Sequence, residues 1–167
     1  MMIFNLFSDE WDEHRPDPGY AWSRTGVGRR LGGELLGASL YHLPPGERSW
    51  PYHAHCGNEE LLVVLKGHPT LRTPDGEREL QAGDAAIFRR GLGGAHQLIN
   101  RSDHAARLVM VSTMVHPEVA HYLDSDKVGV FGGAPPVPGE SAPTELFFRK
   151  GDTTGYYEAG HRAPDWR

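Results

Sequence analysis

The residues best equipped for chemistry sit close together. His53 and His55 are one residue apart, and Glu60 heads an apolar run within PYHAHCGNEELLVVLKG, residues 51–67. Side chains alternate faces along a β-strand, so His53 and His55 project to one side and Ala54 to the other. Cys56-Gly57-Asn58 contains turn formers, which predicts a reversal that lays a second strand, led by Glu60, beside the two histidines. Two imidazoles and a carboxylate in one small volume form a ligand set of intermediate hardness. It suits a divalent transition metal (Fe, Mn, Co, Ni or Zn) and leaves coordination positions for water or substrate. Alternation puts Cys56 on the face opposite His55, so a turn or buried cysteine is expected there rather than a ligand.

These side chains need rigid strands to hold them. In Glu60–Lys66, Glu60, Leu62 and Val64 share one face and Leu61, Val63 and Leu65 the other. Both faces are apolar, so the outer one needs a cover: a second subunit or the aromatic N-terminal segment (Phe4, Phe7, Trp11, Tyr20, Trp22). Leu31 onward reads as a strand closed by Pro44-Pro45-Gly46, and LRTPDGEREL as a hairpin turning at Pro74-Asp75-Gly76. AAIF, the AHQLIN stretch and ARLVMVSTMV supply further strands, with Arg89-Arg90 and the glycine-rich GLGG between the first two. Short strands with frequent turns and little helical periodicity predict an all-β sandwich or barrel. From His116 the expectation is one short helical or extended piece, a Pro/Gly-rich loop and a last hairpin in ELFFRKGDTTGYYEAG. The division expected is an N-terminal arm over 1–30, a barrel core over 31–115 and a C-terminal extension over 116–167 packing on the barrel.

The arrangement resembles the cupin superfamily. Gly46, His53, His55, Glu60 and Gly67 fill its first motif with one extra residue after Gly46, and the spacing to Gly67 favours Glu60 over Glu59 as the acidic member. Gly83, Gly91, His96 and Asn100 fill the second motif, with Arg89 where a proline is usual and a loop two residues longer between Gly91 and His96. The resemblance, over residues 36–115, implies a double-stranded β-helix, a small jelly-roll barrel with extended N- and C-terminal arms. It also implies His53, His55, Glu60 and His96 as metal ligands. LRTPDGERELQAGD and HYLDSDKVGV are similar to small single-domain bacterial cupins of unassigned function. Asn100 is expected to tie down a backbone turn. Arg89 and Arg90 are a solvated turn or, through the guanidinium fork, an anion contact. His14, His42, His68, His104, His116, His121 and His161 are read as surface or packing residues.

Composition narrows the function classes. The 167 residues carry a formal charge of -5 without a basic block, which argues against nucleic acid as partner. The longest apolar run, Leu61–Leu65, falls far short of the roughly 18 residues of a membrane span. The N-terminus lacks a cationic segment before its apolar opening, and a single cysteine, Cys56, excludes an intrachain disulfide; a cytoplasmic location is expected. The implied function is a metal-binding cupin with Fe, Mn, Ni or Zn, acting on a small organic molecule as a dioxygenase or isomerase. The alternative is a non-catalytic small-molecule binding or sensing cupin. The doubly apolar strand predicts a homodimer.

Overall fold

Turn residues cut this chain into short β-segments, and the structure, a computed structural model, describes residues 2–133 and 144–155. The strands are β1 (Glu13–Arg15), β2 (Trp22–Thr25), β3 (Leu36–Leu43), β4 (His53–His55), β5 (Glu60–Lys66), β6 (Thr70–Thr73), β7 (Gly76–Glu79), β8 (Ala85–Phe88), β9 (Gln97–Ile99), β10 (Ala106–Thr113), β11 (Glu118–Tyr122), β12 (Lys127–Phe131) and β13 (Glu145–Arg149). A single helical turn, α1 (Val27–Arg30), follows β2.

Pairing is antiparallel throughout the named strands. One sheet has six strands in the order β1-β2-β3-β10-β5-β8, a second has four (β13-β12-β11-β4) and a third has three (β7-β6-β9). A bridge between His53 and His96 links β4 to the residue entering β9, so the two smaller sheets continue into one another. Leu43, Leu62, Val64, Leu108 and Met110 of the large sheet meet Leu71 and Leu98 of the three-stranded sheet in the main core. This is the β-sandwich of a double-stranded β-helix, the expected all-β class.

Alternation in β5 is borne out: Leu62 and Val64 are buried, whereas Val63 and Leu65 pack outside with Phe4, Leu6 and Trp11 around Val27, Leu40 and Val109. The aromatic segment thus covers this part of the outer face within the chain. It is pinned by Arg107, which donates from Nη1 to the Leu6 carbonyl at 3.1 Å, pairs with Asp9 and lies over the Trp11 ring.

Two expectations need correction. β5 does not lie beside β4: it pairs with β10 and β8, while β4 pairs with β11. The Cys56–Asn58 turn therefore carries the chain from one sheet to the other, and Glu60 faces the histidines across the interior. The stretch from His116 is a hairpin rather than one short piece, with β11 and β12 joined so that Tyr122 stands opposite Lys127. Within it, β11 sets Ala120 opposite His55 and Tyr122 opposite His53. The expected Pro/Gly-rich loop lies largely outside the described residues, as does the far half of the last hairpin; β13 pairs with β12.

Candidate metal centre

β4 points both histidines inward, β5 contributes Glu60 from the opposite sheet, and His96 arrives just before β9. Ligand atoms of His53, Glu60 and His96 lie within 4.8 Å of one another, a group that could hold a metal ion. His55 reaches two of the three: its Nε2 is 3.0 Å from His53 Nε2 and 3.3 Å from Glu60 Oε2. His96 Nε2 lies 3.0 Å from Glu60 Oε2.

Tautomers follow from the second ring nitrogen. His53 Nδ1 donates to the Pro51 carbonyl at 2.9 Å and His96 Nδ1 to the Gly94 carbonyl at 3.0 Å. Each therefore presents a bare Nε2 lone pair to the centre. His96 Nε2 is buried without a hydrogen-bond partner. Lone pairs facing a carboxylate or another imidazole at such distances need a proton or a cation between them, because a buried acceptor with no donor is costly. The donor set fits a divalent transition metal on this ground.

The same geometry drives the titration of the metal-free site. Burial, reinforced by the neighbouring His96 and His55, holds His53 down to about 3. Burial opposes charge on His55 too, but the Glu118 and Glu60 carboxylates outweigh it and push the ring up to about 9. Glu60 is likewise disfavoured as an anion by burial, yet His55 and His96 hold it well below the usual carboxylate range.

Comparison with known proteins gives this site a family. Residues 39–112 match the Cupin domain family, a span containing all four candidate ligands. The chain carries a cupin domain. No curated protein matches it in sequence. Among solved structures, it is similar to a cupin-superfamily sugar phosphate isomerase from Silicibacter pomeroyi at 27% identity, over 91% of this chain and 95% of that one, with a TM-score of 0.76. A protein from Acidithiobacillus ferrooxidans, provisionally described as a sugar phosphate isomerase, is 22% identical over 89% of this chain and 88% of that one, TM-score 0.71, which speaks to the fold alone. An uncharacterized conserved protein with a double-stranded β-helix domain from Klebsiella pneumoniae is 25% identical over 68% of this chain and 90% of that one, TM-score 0.54.

Two of the candidate ligands reach a cavity. His55 and Glu60 border a cavity of about 470 Å³, whereas His96 is fully buried behind them. The volume is that of a small-ligand pocket. Arg24, Ser39 and Tyr41 from β2 and β3 add polar groups to a lining that also includes Leu36, Met110, Met114 and Phe131. Arg24 donates from Nε to Ser39 Oγ at 3.1 Å and from Nη1 to Glu13. Burial raises the Tyr41 hydroxyl above an ordinary phenol, so it stays a donor.

Other residues fall as expected or off the site. Asn100 is structural: its Nδ2 donates to the carbonyls of Leu43 and His104, and its Oδ1 accepts from Ser102. Arg89 and Arg90 are exposed and do not border the cavity. The cupin loop that follows them is tied to the histidine strand, Gly91 N–H donating to the His55 carbonyl at 2.7 Å. A Cβ at Gly94 would overlap the Arg89 carbonyl, which explains the glycine there. Cys56 is an exposed turn residue. Sequence reasoning missed two features: His116, read as a surface or packing residue, borders the cavity, and Glu118 of β11 faces His55. Both lie beyond the cupin motifs, so no spacing rule pointed to them.

Proposed function

We propose that this chain is a metal-dependent cupin enzyme in which His53, His55, Glu60 and His96 hold a divalent transition metal and the cavity takes a small polar, anionic organic molecule for isomerisation. The observation that carries this reading is the convergence of bare imidazole nitrogens and a carboxylate, 3.0–3.3 Å apart, at the closed end of a cavity. Isomerisation is preferred to oxygenation because the Silicibacter pomeroyi sugar phosphate isomerase resembles this chain along nearly the whole of both chains. A bound divalent metal would supply Lewis acidity, polarising a substrate carbonyl. The protein side does the rest. His53 and His96, their Nδ1 atoms anchored to backbone carbonyls, keep the centre rigid. Arg24, pinned by Glu13, offers positive charge to an anionic group, and Tyr41 offers a hydroxyl to a substrate oxygen.

The test is elemental analysis of protein purified without added metal or an affinity tag, beside His53→Ala, followed by aldose–ketose interconversion assays on small phosphorylated sugars. Near-stoichiometric metal in the wild type, at least tenfold less in the variant, and turnover lost with it are the expected results. A wild type that neither contains nor takes up metal would overturn the reading. Ligand binding undiminished in metal-stripped protein, without turnover, would make the chain a binding cupin instead. The assembly we propose is a homodimer formed over the outer face of the six-stranded sheet.

A further inference from the structure

Two of the three candidate histidines have their outer ring nitrogens satisfied by the backbone just before them, and the third does not. His53 and His96 each donate Nδ1–H to a backbone carbonyl two residues earlier, and Glu60 meets two imidazoles. His55 Nδ1, in contrast, is buried with no hydrogen-bond partner. The group that faces it is Glu118, whose Oε1 lies 3.5 Å away.

Glu118 is a buried carboxylate, 4% exposed, in the strand paired with β4. Such a group is expensive unless donors surround it. Here Oε1 accepts from Cys56 N–H at 3.0 Å and from Gly57 N–H at 3.3 Å, Gly57 N–H also reaches Oε2 at 3.2 Å, and Asn58 Nδ2 donates to Oε2. The turn that follows His55 is therefore wrapped around this carboxylate. Gly57 makes the room: a Cβ there would lie 2.8 Å from Glu118 Oε2, closer than real Cβ contacts come. Four donor contacts from one turn, reaching both oxygens, and a side chain omitted to admit it fix the carboxylate in place with Oε1 turned to His55 Nδ1.

We propose that Glu118 is the positioning residue of the metal centre: it accepts a hydrogen bond from Nδ1–H of His55, fixes that ring with Nε2 toward the metal and makes it the most electron-rich of the three imidazole donors. This rests on the metal reading above. Outer carboxylates on ligating histidines are worth about 10- to 100-fold in metal affinity. At 3.5 Å the contact is longer than a good charge-assisted bond, and metal loading is expected to shorten it as Nε2 is drawn to the cation.

The experiment measures Co(II) affinity by chelator competition and the Co(II) visible spectrum on the full chain, for wild type, Glu118→Gln, Gly57→Ala, His55→Ala and the double variant His55→Ala/Glu118→Gln. Glu118→Gln removes the anion and keeps one acceptor oxygen, setting its amide nitrogen against the turn's remaining donors. Gly57→Ala leaves the anion and crowds it, displacing only the end of a flexible side chain. Both should bind Co(II) about 10- to 100-fold more weakly, with a shifted spectrum. In the His55→Ala background the glutamine substitution should add nothing, because the effect travels through that ring. A merely structural role would lower thermal stability equally in both backgrounds and leave the spectrum alone. Glu118→Gln with wild-type affinity and spectrum overturns the proposal while leaving the metal site intact; no Co(II) binding by the wild type sinks the metal reading and the proposal together. Should Glu118→Gln fail to fold, Gly57→Ala carries the same two outcomes.

Discussion

His55 is a proposed ligand whose proton the fold binds more tightly, and this has a measurable consequence at the level of the single residue. Its ordinary value is 6.5 and the fold pushes it up to about 9 in the absence of metal, so the folded state binds this proton more tightly than the unfolded chain. Stability from this source is fully present below the ordinary value and drains away as pH rises through 9. His53, held down to about 3, costs stability only on the acid side; burial raises the Cys56 thiol and adds to the alkaline slope in stripped and loaded protein alike, so the difference between the two reports His55. Thermal denaturation of metal-stripped protein from about pH 7 to about pH 9.5 should show a falling midpoint, by several degrees, on the order of 2–3 kcal/mol. Metal-loaded protein has already surrendered that proton and should show a much shallower slope. A midpoint that stays level or rises in the stripped protein would contradict the proton-for-cation exchange inferred at this site.

Among the elements, the N-terminal arm is bound by a small set of contacts that a single change can weaken. Trp11 packs in the outer cluster with Val63 and Leu65 and has its ring beside His42 and under Arg107. Trp11→Ala should cost about 3 kcal/mol, at the lower end for large-to-small aromatic changes because the ring is half-buried. Metal content should not change, since Trp11 borders neither the centre nor the cavity. Urea denaturation with elemental analysis on the same samples checks both parts; metal lost at wild-type stability would show the arm reaching the site. The arm illustrates what was readable in advance. Two apolar faces on β5 demanded a cover, and the aromatic lead-in was one of two ways to supply it. The β6–β7 hairpin and the β10 strand were also legible, because turn residues and alternation act locally. The pairing of β4 was not. A Gly-Asn turn serves equally for a hairpin and for a crossing between sheets, and nothing local in EVAHY says that it will lie against a strand some sixty residues earlier. That is why His53, His55 and Glu60 could be grouped from their residue types while Glu118 could not.

The whole molecule still presents apolar surface after the arm has docked. Cross-strand register aligns Ala38, Val111, Leu61 and Ile87 in one row over β3, β10, β5 and β8. The row emerges from cover toward the edge of the sheet: Leu61 is 37% and Ile87 58% exposed, and β8 is the last strand in the order. Apolar side chains gathered at a sheet edge favour self-association unless charge or a bulge prevents it. A two-fold axis over this row would set each copy's Leu61 and Ile87 against its mate, the self-complementary contact of a closed dimer. Because Leu61 and Ile87 lie on the outer face and do not border the cavity, the assembly and the metal centre should be separable by mutation. Sedimentation at micromolar concentration should return a dimer for the wild type and a monomer for Ile87→Glu, with metal content unchanged between them. A monomeric wild type would mean that the arm satisfies the sheet within one chain; a dimer insensitive to both Ile87→Glu and Leu61→Lys would move the contact to another surface.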